Sequence, residues 1–319
     1  MESTIIIIVL WSLLVSLILS PIFIIYSKRL QFRQHIREDG PQKHLSKAGT
    51  PTMGGVVFIL AGIIPIFFLK QDLGLIFYLC LLVTLGNAFI GWLDDYGKIR
   101  RGASLGLKAR SKIIGQIAIT VLAMFFLQQI GHPLTIEVPF TNITWELGFF
   151  YPVLLFFIIA GTTNAVNLTD GIDGLAAGTS IIALMAFSII AAMEGLEEVA
   201  LFCGGLIGAC FGFLVFNLHP AKIFMGDVGS LALGGALAIV AVITKTELLL
   251  VIIGLVFVLE TLSVIAQVAW FRLTGNRLLL MSPFHHHLEM KGWSEWQVVI
   301  GLWALSFVAA VIGLLGVRF

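Results

Sequence analysis

Five of the seven aspartates in the chain stand at the ends of long apolar segments. Asp94 and Asp95 follow one such segment, Asp170 and Asp173 precede another, and Asp227 stands before a third. If these segments lie in a bilayer, a carboxylate near the apolar core costs about 2.5–3.5 kcal/mol on insertion scales, and such residues usually mark function. Each aspartate taken singly can instead be solvated or paired with a basic loop. Their gathering at three segment ends favours one acidic site that holds a divalent cation beside a phosphate.

Asp94 and Asp95 are followed by Lys98, one helical turn further on. Two adjacent carboxylates beside a lysine can share a proton or a divalent cation. Aspartate pairs also bind diphosphates in prenyl-chain synthases, but those enzymes carry the pattern D-D-x-x-D, and Lys98 stands in place of its last aspartate. The pattern therefore disfavours a prenyl-chain synthase.

Polar side chains recur every third residue at Asn164, Asn167, Asp170 and Asp173. This spacing places them on one broad face if the segment is helical, and the glycines beside them allow backbone to approach a ligand closely. Asp227 stands where a later apolar segment begins. It is either the N-cap of a helix there or a metal-binding carboxylate beside a helix N-terminus that attracts phosphate.

Three consecutive histidines stand at His285, His286 and His287. Successive side chains on a helix point about 100° apart, so three neighbours do not converge on one tetrahedral zinc ion. Contact with a substrate through rings and charge fits this run better than a zinc site.

Two further polar groups allow more than one interpretation. The segment Lys47–Gly55 is rich in glycine but lacks the G-K-[ST] ending of a P-loop, so it does not predict a nucleoside triphosphatase. Lys47 can still hold a phosphate or a carbonyl group. Glu260, Ser263 and Gln267 share one face of a later apolar segment, where they form either a hydrogen-bonded patch between helices or the lining of a substrate path.

The elements that must position these residues follow from the composition. Of the 319 residues, 59% are apolar and 12% are charged, whereas a soluble domain has about 25% charged residues. Because so little polar surface cannot cover soluble domains, the alternative solvent is lipid. The net charge of +1 gives no basic surface of the kind that binds nucleic acid.

Ten apolar segments approach the length of about 20 residues that a membrane-spanning helix needs. Open backbone cannot face lipid, so these segments are expected to be helices. The predicted fold is an all-α polytopic membrane protein, with residues 1–319 forming a single integral membrane domain. The predicted spans are 4–27, 54–69, 75–93, 112–130, 152–166, 175–193, 199–216, 229–244, 247–270 and 297–318.

The basic residues predict the orientation of these spans. Sixteen of the nineteen Lys and Arg residues fall in odd-numbered loops, counted from the loop after the first span. Cytoplasmic loops carry such an excess. This distribution predicts both termini outside the cell and an active site at the cytoplasmic face, where the five clustered aspartates lie.

Gly204, Gly208 and Gly212 recur every fourth residue in the seventh span. Small residues at this spacing let two membrane helices approach closely. They predict helix packing and not catalysis.

The gathered carboxylates, lysines and asparagines suit a Mg²⁺-assisted reaction of a water-soluble phosphorylated molecule. A site at the membrane surface also meets a lipid substrate, because each buried CH₂ contributes about 0.8 kcal/mol to membrane attachment and a long-chain lipid phosphate cannot leave. A transporter is the competing class of protein. Its coupling residues are expected near the bilayer midplane in repeated, broken helices, and no repeat is apparent in this sequence.

At these residues the chain resembles the polyprenyl-phosphate N-acetylhexosamine-1-phosphate transferases, and the resemblance extends over nearly the whole chain. The histidine run and Lys291–Trp293 after it resemble the muramoyl-pentapeptide branch in particular. The basic stretch after Lys98 is interrupted by Gly102–Ser104, so no phosphate-binding role is carried onto Lys108 or Arg110. The matching segments are Lys47–Gly55, Asp94–Asp95, Asn167–Gly174, Asn217–Ser230 and Pro283–Trp293.

The resemblance implies transfer of phospho-MurNAc-pentapeptide from its UDP form to undecaprenyl phosphate, which gives lipid I and UMP in the first membrane step of peptidoglycan synthesis. It also implies a Mg²⁺ requirement, a multi-pass location in the bacterial plasma membrane and a homodimer. Asp227 would be the Mg²⁺ ligand, with Asp94 and Asp95 essential near the lipid phosphate. The substrate-binding residues that it implies are Lys47, Lys98, Asn167, Asp170, Asp173, Asn217 and Phe224, which would stack on uracil, with His285 and His286 at the diphosphate or sugar-peptide part.

A sister transferase that moves GlcNAc-1-phosphate from its UDP form is the alternative within the same family. It uses Mg²⁺ and the same lipid, so the residue chemistry alone does not separate the two reactions. The histidine run, by resemblance, favours the muramoyl-pentapeptide substrate.

Overall fold

The computed structural model describes residues 2–30, 49–102 and 106–317, most of which are helical. Within these ranges, nine helices are long and apolar enough to cross a membrane, and a shorter apolar helix, α2, joins them. Together they match the ten predicted spans in number. The helices are α1 (Glu2–Arg29), α2 (Gly55–Leu69), α3 (Leu75–Arg101), α4 (Ala109–Gln129), α5 (Tyr151–Thr169), α6 (Leu175–Met193), α7 (Glu197–Asn217), α8 (Gly226–Ile243), α9 (Leu249–Ile253), α10 (Leu255–Thr274), α11 (Phe284–Met290) and α12 (Glu295–Leu315), and the strands are β1 (Thr135–Glu137) and β2 (Thr144–Glu146).

The predicted span 247–270 is not one continuous helix. A short helix, α9, ends at Ile253, and α10 begins at Leu255 after the single residue Gly254. The Gly254 N–H donates to the Leu250 carbonyl at 2.8 Å, and its backbone angles, φ −89° and ψ 22°, lie outside the helical region. A Cβ atom at this position would lie 2.7 Å from the Leu250 carbonyl oxygen, so a residue without a side chain stands where the apolar run is divided.

A small hairpin between α4 and α5 is the one departure from an all-α chain within the described residues. Strands β1 and β2 pair in antiparallel fashion, with Ile136 opposite Trp145. The Lys245 ammonium, beyond the end of α8, donates to the Thr135 carbonyl. The hairpin is therefore attached to the end of α8 that is remote from Asp227.

The core of the bundle is built on α7 and α8. Of an 18-residue apolar stretch in each helix, 89% is buried inside the protein in α8 and 83% in α7, against 17% in α10. Helices α3 and α5 pack along α8, and α1, α2 and α6 pack along α7. A Cβ atom on Gly208 would lie 2.1 Å from the Val9 carbonyl oxygen of α1, which confirms that these glycines serve helix packing.

Successive helices run in opposite directions, so the helix ends that carry polar residues meet at one end of the bundle. The last turns of α3 and α5 meet the first turns of α4 and α8 at one end of the bundle, where Asp94 and Asp227 contact Lys112. We call this the aspartate end. The other end, which carries β1 and β2, is called the hairpin end.

Candidate active site

Asp94, Asp95 and Asp227 come together where the end of α3 meets the start of α8. Each of the three carboxylates offers an oxygen atom within 4.8 Å of the others. The two helices approach closely because Gly91 faces the Asp227 backbone, and a Cβ atom on Gly91 would lie 2.2 Å from the Asp227 carbonyl oxygen. Two of the three predicted segment ends thus form one acidic cluster, whereas Asp173 of the third belongs to a different polar group.

Two lysines connect the carboxylates of this cluster. Lys98 Nζ lies 2.6 Å from Asp94 Oδ2 and 3.0 Å from Asp227 Oδ1. Lys112 Nζ lies 3.1 Å from Asp94 Oδ1 and 2.8 Å from Asp227 Oδ2. Counted over the described residues, three carboxylates face two ammonium groups, and ionised carboxylates would leave one negative charge in surplus.

Lys112 is a site residue that the sequence interpretation missed. The available signal was its position at the first residue of the predicted fourth span, on the same side as the aspartates. The structure places it in the first turn of α4, where it contacts Asp94 and Asp227 as Lys98 does.

The three carboxylates differ in accessibility. Asp94 Oδ1 accepts a hydrogen bond from the Leu107 N–H at 2.7 Å, and Asp95 Oδ2 accepts one from the Val228 N–H at 3.1 Å. Their side chains are 2% and 5% exposed, whereas the Asp227 side chain is 14% exposed. Asp227 is therefore the carboxylate that a ligand reaches first, and the other two lie behind it.

The interpretation of Asp227 as a helix N-cap is wrong. The N-cap of α8 is Met225, and Asp227 is the second residue of the helix. Gly226 between them has φ +74°, and a Cβ atom there would lie 2.5 Å from Asp95 Oδ2. Glycine is therefore required on both conformational and steric grounds to carry the chain into α8 beside Asp95.

Asn167 orients Asp227 from the last turns of α5. Its Nδ2 group donates to Asp227 Oδ1 at 3.0 Å and to Ser230 Oγ at 2.8 Å. Ser230 lies one turn along α8 and was not predicted as a site residue. The predicted proximity of the asparagine to the acidic cluster is present in the structure, and its contact with substrate stays a prediction.

Asp170 follows the end of α5 and faces the same region. Burial, and then the nearby Asp227 and Asp95 carboxylates, raise the pKa of Asp170 well above its usual range. No side-chain hydrogen bond or ion pair joins it to another residue in the described ranges.

Asp173 and Asn217 make hydrogen bonds within the protein. Asp173 Oδ2 lies 3.0 Å from His219 Nδ1. Asn217 Oδ1 accepts from the Gly174 N–H at 3.1 Å, and its Nδ2 donates to the Ile223 carbonyl at 2.9 Å. Both side chains are buried, and together they attach the loop between α7 and α8 to the turn before α6. Their direct contact with substrate stays a prediction.

Glu295 at the start of α12 completes a second polar group with Asp173 and His219. The three offer ligand atoms within 4.8 Å of one another. The His219 Nδ1 atom already lies 3.0 Å from carboxylate oxygens of both Asp173 and Glu295. This arrangement connects α12 to the loop after α7.

Phe224 lies in a segment that pairs with the chain before α2. The Phe224 N–H donates to the Pro51 carbonyl at 2.8 Å, and the Phe224 carbonyl accepts from the Gly54 N–H at 2.9 Å. These bonds join two of the motifs that the sequence singles out. Lys47, four residues before Pro51, lies outside the described residues.

The three consecutive histidines have three different partners. The rings of His285 and His286 nevertheless lie in contact, with their centroids 4.1 Å apart. The pairs are His285 Nδ1 with Glu260 Oε2 at 3.1 Å, His286 Nδ1 with Glu289 Oε2 at 2.8 Å, and His287 Nδ1 with the Leu280 N–H at 3.2 Å.

Comparison with known proteins assigns this arrangement to a family. The family model for Glycosyl transferase family 4 matches residues 75–245, and Phospho-N-acetylmuramoyl-pentapeptide-transferase signature 1 matches residues 47–59. The chain is 48% identical to the phospho-N-acetylmuramoyl-pentapeptide-transferase of Geobacillus sp. (strain WCH70) and 49% identical to that of Bacillus subtilis (strain 168), each over 317 residues and 98% of both chains. It is 50% identical over 316 residues to the protein of the same name from Geobacillus thermodenitrificans (strain NG80-2), again over 98% of both chains.

Proposed function

The chain belongs to the phospho-N-acetylmuramoyl-pentapeptide-transferase family, and we propose that it performs the family reaction at the cluster of Asp94, Asp95, Asp227, Lys98 and Lys112. It is a multi-pass bacterial membrane transferase of peptidoglycan precursor synthesis. In the proposed reaction, the phosphate of undecaprenyl phosphate attacks the sugar-linked phosphorus of UDP-MurNAc-pentapeptide, which forms lipid I and releases UMP. The observation that carries this proposal is the convergence of three carboxylates and two lysines from α3, α4 and α8 at one end of an apolar bundle.

The proposal places the aspartate end at the cytoplasmic surface and both termini outside the cell. Sixteen of the nineteen Lys and Arg residues lie in odd-numbered loops, which are expected in the cytoplasm. Within the described residues, Lys98 and Lys112 of this set lie at the aspartate end. We further propose that residues 1–319 act as one integral membrane domain and that two copies form a homodimer, which the family resemblance implies.

The donor set of the cluster suits Mg²⁺. This ion prefers oxygen ligands, and it usually takes one or two carboxylates with waters and substrate phosphates in its remaining positions. Asp227, the most exposed of the three carboxylates, would hold the ion, and Asp94 and Asp95 lie behind it. When bound, Mg²⁺ supplies electrostatic stabilisation of the charge on the pyrophosphate.

Lys98 and Lys112 offset the charge of two anionic substrates in this proposal. Each ammonium group has three N–H donors and bridges Asp94 and Asp227 at distances of 2.6–3.1 Å. A phosphate brought to Asp227 therefore comes within reach of both lysines. Asp94 holds the two ammonium groups in place, and its bond to the Leu107 N–H fixes the loop before α4 against them.

The attacking phosphate needs little help from a base. A phosphate monoester has a second pKa of about 6 and is largely dianionic at neutral pH, and phosphoryl transfer depends mainly on positioning and electrostatic stabilisation. Asp95 Oδ1, which lies 3.6 Å from Lys98 Nζ, would orient the attacking oxygen or accept a residual proton. The rival route proceeds through a covalent aspartyl-phosphate intermediate. If a phosphosugar–enzyme adduct could be trapped, the two-step route would be favoured over direct attack.

The nucleotide is proposed to bind beside the cluster, where Asp170 offers a carboxyl group and Phe224 an aromatic ring. Asp173 and Asn217 support this pocket, because their hydrogen bonds fix the loop that carries Phe224. Lys47 completes the proposed pocket from the segment that precedes α2.

The proposal is tested by UMP release from the purified protein in detergent micelles. UDP-MurNAc-pentapeptide and UDP-GlcNAc are each offered with undecaprenyl phosphate, with and without Mg²⁺. We expect UMP only from UDP-MurNAc-pentapeptide and only with Mg²⁺. Turnover without a sealed compartment also excludes an obligate transporter. Release from UDP-GlcNAc alone would favour the sister transferase, and no release from either sugar by folded protein would overturn the proposal.

A further inference from the structure

Glu260 is a buried carboxylate on α10 whose partner is His285 at the start of α11. Both side chains are fully buried. Glu260 Oε2 lies 3.1 Å from His285 Nδ1, and both carboxylate oxygens accept a hydrogen bond from the His285 backbone N–H, at 3.2 and 3.3 Å. A carboxylate within a membrane-spanning helix is costly, and its presence with a dedicated partner indicates a function.

The second ring nitrogen of His285 lies against Gly171, in the turn that follows Asp170. The Nε2 atom is buried and has no hydrogen-bond partner within the part of the chain that the structure describes. It points at Gly171, where an added Cβ atom would lie 2.2 Å from it. Gly171 directly follows Asp170 of the proposed nucleotide pocket. Because an unsatisfied buried polar atom costs about 1–3 kcal/mol, a group on a bound ligand is the expected partner of Nε2.

Glu260 determines which ring nitrogen is presented to the site. An ionised carboxylate only accepts hydrogen bonds, so the ring nitrogen beside it must carry a hydrogen. Nδ1–H is thereby committed to Glu260, and Nε2 faces Gly171. A carboxylate fixes a histidine tautomer and orientation in the same way in the serine-protease triad, where the change to an amide lowers kcat by about 10⁴-fold.

The surroundings of the pair restrict rotation of the ring. A separate apolar core contains Ile172, which follows Gly171, and Val256, which lies one turn before Glu260, and Phe284 packs against it beside His285. The His285 side chain is fully buried, and its ring centroid lies 4.1 Å from that of His286. The imidazole therefore has little room to exchange its two nitrogens.

We propose that Glu260 is a positioning residue of the transferase, which holds His285 so that Nε2 meets a polar group of the phosphate–sugar part of the bound nucleotide-sugar beside Asp170. The inference rests on the proposed function, which supplies that substrate. Glu260 itself touches no substrate and acts through the ring of His285.

The contact between Glu260 and His285 also has a structural component. The His285 N–H lies in the first turn of α11, where backbone donors lack partners within the helix, so the carboxylate joins α10 to α11. If the contact between Glu260 and His285 were purely structural, a substitution at Glu260 would lower activity only in proportion to the loss of stability. A positioning role predicts a loss in kcat that disappears once the histidine ring has been removed.

The test is a double-mutant cycle on UMP release with Glu260→Gln, His285→Gln and the double variant, with the melting temperature and the pH profile of kcat measured for each. An amide at position 260 can donate to Nδ1 and reverse the tautomer. We therefore expect Glu260→Gln to lower kcat by about 10–100-fold, the range that applies when a group orienting a metal-bound histidine is lost, and to alter the pH profile. The double variant should be no slower than His285→Gln alone.

Glu247→Gln provides the matched control, because Glu247 is a buried carboxylate at the hairpin end that bonds to Tyr151. This variant should lower the melting temperature and leave kcat and its pH profile unchanged.

A Glu260→Gln protein with the kcat and pH profile of the wild type, or losses that multiply in the double variant, would overturn the positioning role while wild-type UMP release still supported the proposed function. If Glu260→Gln does not fold, Glu260→Asp, whose carboxylate is withdrawn by one methylene, enters the same cycle and is judged by the same two results. No UMP release from folded wild-type protein would overturn the proposed function and this inference with it.

Discussion

The two ends of the helical bundle both bury carboxylates beside lysine, yet their charge balance differs. At the hairpin end, Glu247 Oε1 accepts a hydrogen bond from the Tyr151 hydroxyl at 2.7 Å and lies 3.1 Å from Lys245 Nζ. At the aspartate end, three carboxylates share Lys98 and Lys112 in the described part of the chain. At the hairpin end, one carboxylate and one lysine form a balanced ion pair. At the aspartate end, the carboxylates outnumber the lysines, so the cluster can also bind a cation.

The partners of the lysines show the same contrast. Lys245 also donates to the backbone carbonyls of Pro133 and Thr135, so its N–H groups are used within the protein and connect the hairpin to α8. Within the described ranges, Lys98 and Lys112 contact carboxylates and no backbone carbonyl. Such ammonium groups can exchange a carboxylate for a phosphate. Buried polar groups of similar composition therefore serve stability at one end and suit catalysis at the other.

The largest effect is expected for Asp227→Asn. The amide keeps the size of the side chain and can still accept a hydrogen bond from Asn167, but it loses the negative charge and the preferred metal ligand. We expect kcat for UMP release to fall by about 10³-fold, the upper range for removal of one electrostatic contact in an active site, together with a weaker response to Mg²⁺. A variant with the wild-type rate and Mg²⁺ dependence would show that the assignment of Asp227 is wrong.

Lys112→Gln and Lys245→Gln form a matched pair across the two ends. Lys112→Gln should lower kcat by about 10²-fold, because one cation no longer offsets the substrate charge, with little change in melting temperature. Lys245→Gln should lower the melting temperature and leave kcat per folded molecule unchanged. Both variants are compared by UMP release and by thermal unfolding in the same detergent, and the opposite pattern would remove the distinction between the ends.

Tyr151→Phe tests whether the hydrogen bonds at the hairpin end serve stability and not catalysis. The substitution removes a buried hydroxyl that donates to Glu247 Oε1, and loss of one such bond costs about 1–2 kcal/mol. We expect a lower free energy of unfolding and an unchanged kcat. A reduced kcat at full stability would instead connect the hairpin end to the reaction.

The smallest effect concerns pH at the hairpin end. Burial, and then the nearby Lys245, lower the pKa of His132 from its usual 6.5 to about 4. Because the folded protein binds this proton less tightly than the unfolded chain does, the contribution of His132 to stability is full above pH 6.5 and is lost as the pH falls towards about 4. His132→Gln should remove this part of the acid destabilisation in melting temperatures measured across that range. An identical pH dependence in both proteins would contradict the assignment.

The positions of the spans and of the aspartate end could be predicted because both depend on local composition. The length of an apolar segment predicts a membrane-spanning helix, and the distribution of Lys and Arg predicts the side of the membrane on which each loop lies. The break at Gly254 could not be predicted, because glycine occurs within continuous membrane helices as well, for example at Gly91 in α3 and Gly208 in α7. Lys112 was missed because its role depends on α4 folding back against α3, which no spacing in the sequence specifies.

The interpretation of Glu260, Ser263 and Gln267 as one group shows the same limit. Ser263 Oγ donates to the Glu260 carbonyl at 2.6 Å within its own helix, and Gln267 Oε1 accepts from the Leu279 N–H at 2.7 Å. Glu260 alone of the three reaches His285. Helical spacing identifies the residues that share a face, but the packing of other elements against that face decides what each of them contacts.

Anomalous diffraction from crystals grown with Mn²⁺ in place of Mg²⁺ and with bound UDP-MurNAc-pentapeptide would show whether a divalent cation binds at the aspartate end. The central claim is that the surplus negative charge at the aspartate end holds a divalent cation against the pyrophosphate. It predicts a strong manganese peak at the Asp227 carboxylate, next to the phosphates of the substrate. A peak at the other potential ligand group of the described chain, formed by Asp173, His219 and Glu295, with none at Asp227, would contradict it.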